Sequence, residues 1–243
     1  MCTLTWLHHG QGYELLFNRD EKRTRAPARP PQVRERAGRS WIAPSDPDGG
    51  GTWIGVNEFG LCVALLNGYL PRDAEEREWV TRGELVDGLL DARTQEEARV
   101  RLSKRHLERY RSFSIVAVGP LGPALVASWD LNALTFDARH AGHPPICSSS
   151  LDPTGATVAR RELFARMAAQ RGSIDAELLE RFHRSHEPER GPWSPCMHRD
   201  NAQTQSLTHV RVAADKVELH YTHGAPCEGA LQVALELPRA AVR

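Results

Sequence analysis

Apolar residues at the start of the chain fall in short runs, each too brief for a helix. Cys2–His8 and Tyr13–Phe17 are two of them. They are joined by His9-Gly10-Gln11-Gly12, whose glycines suit a tight hairpin. The stretch from Arg19 to Arg39 is basic, contains Pro27, Pro30 and Pro31, and reads as a loop crossing a surface. Trp41–Ala43 restarts a strand, and Ser45 to Gly51 is a Pro/Asp/Gly turn cluster. Thr52–Val56 and Leu61–Leu66 flank a turn at Asn57-Glu58-Phe59-Gly60. The second of these is apolar without a break, as in a strand covered on both faces.

The period then changes. Thr81, with Glu84 completing a capping box, predicts a helix through Leu85, Val86, Leu89 and Leu90. Thr94 opens another toward Leu102. Ser114–Val118 and Ala124–Trp129 return to strand. Thr157–Ala169 and Ser173–His183 predict amphipathic helices, with Arg82, Arg160 and Arg161 as helix-surface charges. Gln205–Val212, Lys216–Tyr221 and Leu231–Leu237 close the chain as strands. This order predicts an α+β fold of mainly antiparallel sheets with helices packed outside, rather than alternating βαβ units. The 243 residues contain no linker-like tract, so a single domain spanning 1–243 is expected.

Composition narrows the function classes. Basic and acidic residues number 31 each, leaving zero formal charge. Chain-wide attraction to nucleic acid or anionic lipid is therefore not expected. No window approaches the ~20 apolar residues of a membrane span, and Leu4–Leu7 runs into His8, His9 and Gly10 without a secretory leader. Five scattered cysteines, Cys2, Cys62, Cys147, Cys196 and Cys227, read as reduced thiols in a cytoplasmic setting.

Cys2 is the centre of interest. Removal of Met1 would put an α-amine and a thiol on one residue. Their reference pKa values are about 7.7–8.0 and about 8.5, so the amine can serve as base for the thiol near neutrality. The hairpin would return the far end of the second strand, Asn18-Arg19-Asp20-Glu21, beside residue 2. A guanidinium there favours thiolate, and a carboxylate can orient the ammonium group.

Met1-Cys2-Thr3-Leu4 followed by Asn18-Arg19-Asp20-Glu21 resembles the NRDE family, also called the transport and Golgi organisation protein two family. Gly50–Asn57, Gly60-Leu61, Leu66-Asn67 and Cys196-Met197-His198-Arg199-Asp200 with Thr204 and Ser206 add to the likeness. That family is similar to N-terminal-cysteine hydrolases such as bile salt hydrolase and penicillin V acylase. The resemblance implies a four-layer αββα sandwich of the N-terminal-nucleophile type. It implies Cys2 as nucleophile, Arg19 and Asp20 as its support and Asn67 as oxyanion donor. The reaction would be hydrolysis or acyl transfer at an amide or thioester of a small molecule. Asn18, Glu21, Ser149, His198 and Arg199 are the candidate substrate contacts, Ser149 standing in a serine run where the hydrolases carry a second Asn.

No cofactor is required by that chemistry, and homo-oligomerisation stays open. The competing reading is a non-catalytic carrier of haem or an acyl ligand on the same fold, with His8, His9 and His143 as axial candidates. Cys-Pro haem motifs are absent; Pro195-Cys196 and Pro226-Cys227 run the other way. Cys196, His198, His220, His223 and Cys227 are ligand types that suit zinc, but their spacing follows no recognised pattern, so the sequence assigns no metal.

Overall fold

The computed structural model describes residues 2–70, 73, 76–137, 144–229 and 232–242. Met1, His143 and Leu231 lie outside them. β1 (Cys2–His9) and β2 (Gly12–Lys22) form the expected hairpin. Gly10 turns it at φ +51°, a left-handed backbone that glycine adopts without a Cβ penalty. The apolar run Tyr13–Phe17 is only the middle of β2, which stays buried through Asp20.

A seven-stranded antiparallel sheet follows: β3 (Arg29–Arg36), β4 (Arg39–Ser45), β5 (Ile54–Asn57), β6 (Cys62–Asn67), β7 (Phe113–Val118), β8 (Leu125–Trp129) and β9 (Leu134–Phe136), neighbours in that order. β3 replaces the surface loop expected from Arg19 to Arg39. It is an edge strand, mostly exposed, with its register shifted between Arg29 and Gln32 around the two prolines. An edge or irregularity is where a strand tolerates residues that lack an N–H donor.

The remaining strands are β10 (Ile146–Ser148), β11 (Ala202–Val212), β12 (Lys216–His223) and β13 (Gln232–Pro238). With the hairpin they build a six-stranded antiparallel sheet in the order β10-β1-β2-β11-β12-β13. Strand alternation divides its side chains between two faces. Leu4, Trp6, Leu15 and Phe17 meet Ile54, Val56, Cys62 and Ala64 between the sheets.

The outer face of the larger sheet carries α1 (Gly83–Leu89) and α2 (Gln95–Ser103). Leu85, Val86, Leu89 and Leu102 pack there with Leu61, Val63 and Leu65. α3 (Pro153–Arg171) and α4 (Ala176–Arg184) cover the outer face of the smaller sheet, where Leu163, Phe164, Leu178 and Phe182 sit over Leu16 and Leu207. The layers run αββα. Thr94 caps α2 through the Glu97 N–H, as expected. The capping box at Thr81 does not form: Arg82 precedes α1 without a side-chain cap, and Glu84 instead accepts a hydrogen bond from the Tyr110 hydroxyl.

One buried group ties α4 to β1. The His183 Nε2 lies 2.9 Å from the Thr5 hydroxyl, and the ring is fully buried. Burial, helped by His209 and Arg160, holds its imidazole down at about 3. In the unfolded chain it takes its proton near 6.5. Between those values the unfolded state binds the extra proton. Stability therefore falls as pH drops from about 6.5 toward 3, by up to ~1.4 kcal/mol per unit. His183→Gln is expected to flatten that slope. Urea midpoints of both proteins at pH 7 and pH 5 test it, and equal slopes would show that His183 is not the proton acceptor.

Candidate active site

A cavity of about 390 Å³ opens where β1 begins and β2 and β6 end. Cys2 lines it at 6% exposure, on the same inter-sheet face as Leu4. Its strand neighbours are Arg19 on one side and Ser148 on the other. The hairpin thus returns Arg19 to residue 2, as the loop length requires.

Arg19 and Asp20 are consecutive in a strand and so serve opposite faces. Arg19 faces the cavity. Its guanidinium stacks 4.3 Å from the Trp53 ring centroid and reaches Asp46 at 3.3 Å and Glu21 at 3.7 Å. Arg25 closes the network with a 2.6 Å contact to Asp46. Burial alone would raise the Asp46 carboxyl, but hydrogen bonds from Arg25 and the Gly49 N–H outweigh it and hold the group below the usual carboxylate range. The turn that carries Asp46 is pinned against α1. Gly51 has φ +71°, and a Cβ there would meet the Gly83 carbonyl carbon at 2.5 Å.

The Asp20 carboxylate lies on the far side of the sheet, fully buried. Thr204 donates to it at 2.7 Å and Arg160 approaches at 3.5 Å. Arg160 corrects the sequence reading: its side chain has 0% exposure. It donates to the Thr3 hydroxyl at 2.6 Å and the Ser194 carbonyl at 2.9 Å, with longer contacts to the carbonyls of Cys2, Pro192 and Trp193. The buried cation holds the Cys2 carbonyl and the Thr3 side chain from behind. Arg82 is also no free surface charge. It lines the cavity and donates to the Ser112 carbonyl at 2.7 Å. Arg161 is exposed as expected.

Asn67 ends β6 and reaches the same cavity from the other sheet. Its side chain hydrogen-bonds the Tyr69 hydroxyl. Desolvation at its hydroxyl end, then the nearness of Cys2 and Glu21, pushes that phenol up although the residue as a whole is 38% exposed, so Tyr69 stays neutral. Tyr69, Trp79, Arg82 and Arg111 were not singled out from sequence as site residues. Trp79, Arg82 and Arg111 line the cavity together with Glu21.

The other candidates lie elsewhere. Asn18 faces the helix layer, where its amide donates to the carbonyls of His183 and Pro195 at 2.8 Å each. In the serine run, the residue in register with Cys2 is Ser148. Ser149 is a buried turn residue whose hydroxyl accepts from the N–H groups of Leu151 and Asp152. His198 and Arg199 sit in the loop before β11, away from the cavity. His8 bonds the Gly119 carbonyl at 3.0 Å and His9 is exposed, both at the opposite end of β1 from Cys2. Of the zinc-type residues, His220 pairs with His209 and His223 with Ser206 along β12, while Cys196, His198 and Cys227 come together. None of the five cysteines is in a disulfide.

Burial pushes the Cys2 thiol from an ordinary 9.0 up to about 11, against the pull of the positive amino terminus, the Asp20 N–H and Arg19. The resting group is a thiol. In protein that retains Met1, alkylation of Cys2 is expected to climb about tenfold per pH unit through pH 9, because only thiolate reacts. Peptide-resolved labelling rates read it, and a curve that bends over near pH ~8.5 and levels off about a unit above, as for a free thiol, would contradict the burial argument.

A family model described as Transport and Golgi organisation 2 matches residues 1–213. No curated protein matches the chain. Among solved structures it is similar to a variant of conjugated bile acid hydrolase from Clostridium perfringens, with 13% identity, 98% of this chain and 92% of that one covered, and a TM-score of 0.60. An N-acylethanolamine-hydrolyzing acid amidase ortholog from Caenorhabditis elegans gives 13%, 86%, 92% and 0.58 in the same terms. A penicillin V acylase from Agrobacterium tumefaciens gives 12%, 90%, 82% and 0.52. The likeness is one of fold, the N-terminal-nucleophile hydrolase sandwich. No described helix is long and apolar enough to cross a membrane.

Proposed function

We infer, for a chain that belongs to the Transport and Golgi organisation 2 family, that Cys2 is the nucleophile of an amidase, thioesterase or acyltransferase once Met1 is removed. The observation that carries this is convergence: Cys2, Arg19 and Asn67 meet at one cavity from three strands of two sheets. The Cys2 Sγ attacks the carbonyl carbon while its proton passes to the Cys2 α-amine. The Asn67 amide, with a backbone N–H, holds the developing oxyanion. The C–N or C–S bond then breaks, and the amine returns the proton to the leaving nitrogen or sulfur. Water or an acceptor releases the acyl group from the thioester by the reverse steps.

Arg19 offsets negative charge on the sulfur. Asp20 is a positioning residue, since its carboxylate anchors the end of β2 through Thr204 and Arg160. The cavity suits a small acyl donor. Trp53, Trp79 and Leu65 offer apolar surface, and Arg82 and Arg111 suit an anionic group on the substrate. The similar solved proteins are named as a hydrolase, an acylase and an acid amidase, which supports a reaction at an acyl bond.

The test is intact mass of protein made from its native start, with and without a cysteine-directed alkylator, beside Cys2→Ala. Loss of Met1 and fast labelling that vanishes in the variant is the expected result, followed by an acyl-enzyme mass with an amide or thioester donor. Processed protein whose Cys2 labels no faster than a peptide thiol and never acylates would sink the reading. The cavity would then be a site for binding a ligand without turnover.

A further inference from the structure

We propose that His186, Cys196, His198 and Cys227 form a structural zinc site outside the Cys2 cavity. One ligand atom from each residue lies within 4.8 Å of all the others. Zn–S and Zn–N bonds of about 2.3 and 2.0–2.1 Å put tetrahedral ligand atoms roughly 3.3–3.8 Å apart. The Nε2 of His198 is 3.6 Å from the Cys196 sulfur and 3.3 Å from the Cys227 sulfur, inside that range. The His186 and His198 rings meet edge-on at 5.1 Å.

A second observation is independent of spacing. The Nε2 of His186 is buried and has no hydrogen-bond partner. An orphaned imidazole nitrogen in a protein interior is costly, and a metal bond is one way to satisfy it. Two thiolates and two imidazoles are a zinc donor set, and four protein ligands make a closed site. Loading releases two thiol protons to solvent and leaves the metal and its ligands with no net charge.

The ligands come from three segments: the exit of α4, the loop before β11, and a 3-10 turn at Pro226–Glu228. The middle segment is the one that holds the back of the nucleophile strands. Its Ser194 carbonyl binds Arg160, its Pro195 carbonyl binds Asn18, and its Met197 N–H binds Thr204. Zinc would staple this loop to its two neighbours. Arg190, 3.3 Å from His198 Nδ1 and 3.4 Å from Glu228, lies in the surrounding shell. A metal on Nε2 leaves the proton on Nδ1, which requires Arg190 to turn away toward Glu228.

The experiment uses tag-free, reduced, full-length protein. Elemental analysis after purification with added zinc is expected to give one zinc per chain, and a higher Tm than chelator-treated protein. The Cys196→Ser/Cys227→Ser variant should hold less than a tenth of an equivalent, while Cys147→Ser keeps its zinc. Cobalt replacing zinc in the wild-type chain should show thiolate-to-metal charge transfer and tetrahedral d–d bands, a readout that needs no variant to fold. Zinc below a tenth of an equivalent in the wild type, a cobalt spectrum without thiolate bands, or iron in place of zinc would overturn the proposal. So would a Cys196–Cys227 disulfide that takes up no metal after reduction.

Discussion

Arg160→Met is expected to cost about 3–5 kcal/mol of folding free energy, the usual penalty for removing one partner of a buried ion pair. For a chain of this size that corresponds to a fall in Tm of roughly 6–20 °C. The reason is what remains behind. The Asp20 carboxylate keeps its Thr204 bond but loses its compensating cation in a site closed to water. The Ser194 carbonyl and the Thr3 hydroxyl lose charge-assisted donors at 2.9 and 2.6 Å. Arg160→Lys should recover little, because an ammonium cannot span contacts that a planar guanidinium makes on both edges. Adding Asp20→Asn to Arg160→Met should recover part of the loss, since the buried carboxylate charge is then removed together with the Arg160 cation. Calorimetry on the three variants checks this. A Tm for Arg160→Met within 2 °C of the parent would mean that the buried pair contributes little.

The second large effect is on chemistry. Asn67→Ala should slow acylation by ~10²–10³, the loss seen when one oxyanion donor is removed. Its alkylation rate at Cys2 should stay near that of the parent, because alkylation builds no oxyanion. Asn67→Asp should be at least as slow, having the same shape with a charge that repels the oxyanion. Single-turnover acylation beside alkylation separates the two steps. Equal acylation in Asn67→Ala and parent would move the oxyanion donor elsewhere, with Tyr69 the next residue to test.

Much of this arrangement is legible in the sequence, for identifiable reasons. Strands with one apolar face, such as β1 and β11, announce themselves by composition and alternation. β3 does not, because an edge strand with prolines looks like a loop. β9 and β10 are three residues each, too short for any period. The register Cys2↔Arg19 follows from a two-residue hairpin turn. The opposite facing of Arg19 and Asp20 was equally available from strand alternation, yet family likeness groups the two as neighbours of the sulfur. Arg160 carried a signal as well. It follows Ala156 by four residues and precedes Leu163 and Phe164 by three and four, which puts it on the apolar stripe of α3. Of the metal-type cluster the sequence offers Cys196, His198 and Cys227 as ligand types but not His186, and no spacing joins them, because only tertiary folding brings the four together.

The position of Cys2 also sets a clock. It is 6% exposed and paired in register on both sides, so residue 2 is enclosed once the sheet closes, and under the proposed chemistry trimming of Met1 is expected to be fastest on the nascent chain. Its partner in β10 emerges with residues 146–148, and β11, which completes the centre of the sheet, ends at Val212. Ribosomes add ~5–20 residues per second, so the second of these arrives roughly 10–40 s after the N-terminus. Trimming and folding then compete. On that expectation, chains that fold before trimming would retain a blocked amine, and the fraction of molecules with a free Cys2 amine would be set during synthesis, falling when expression outruns the trimming enzyme.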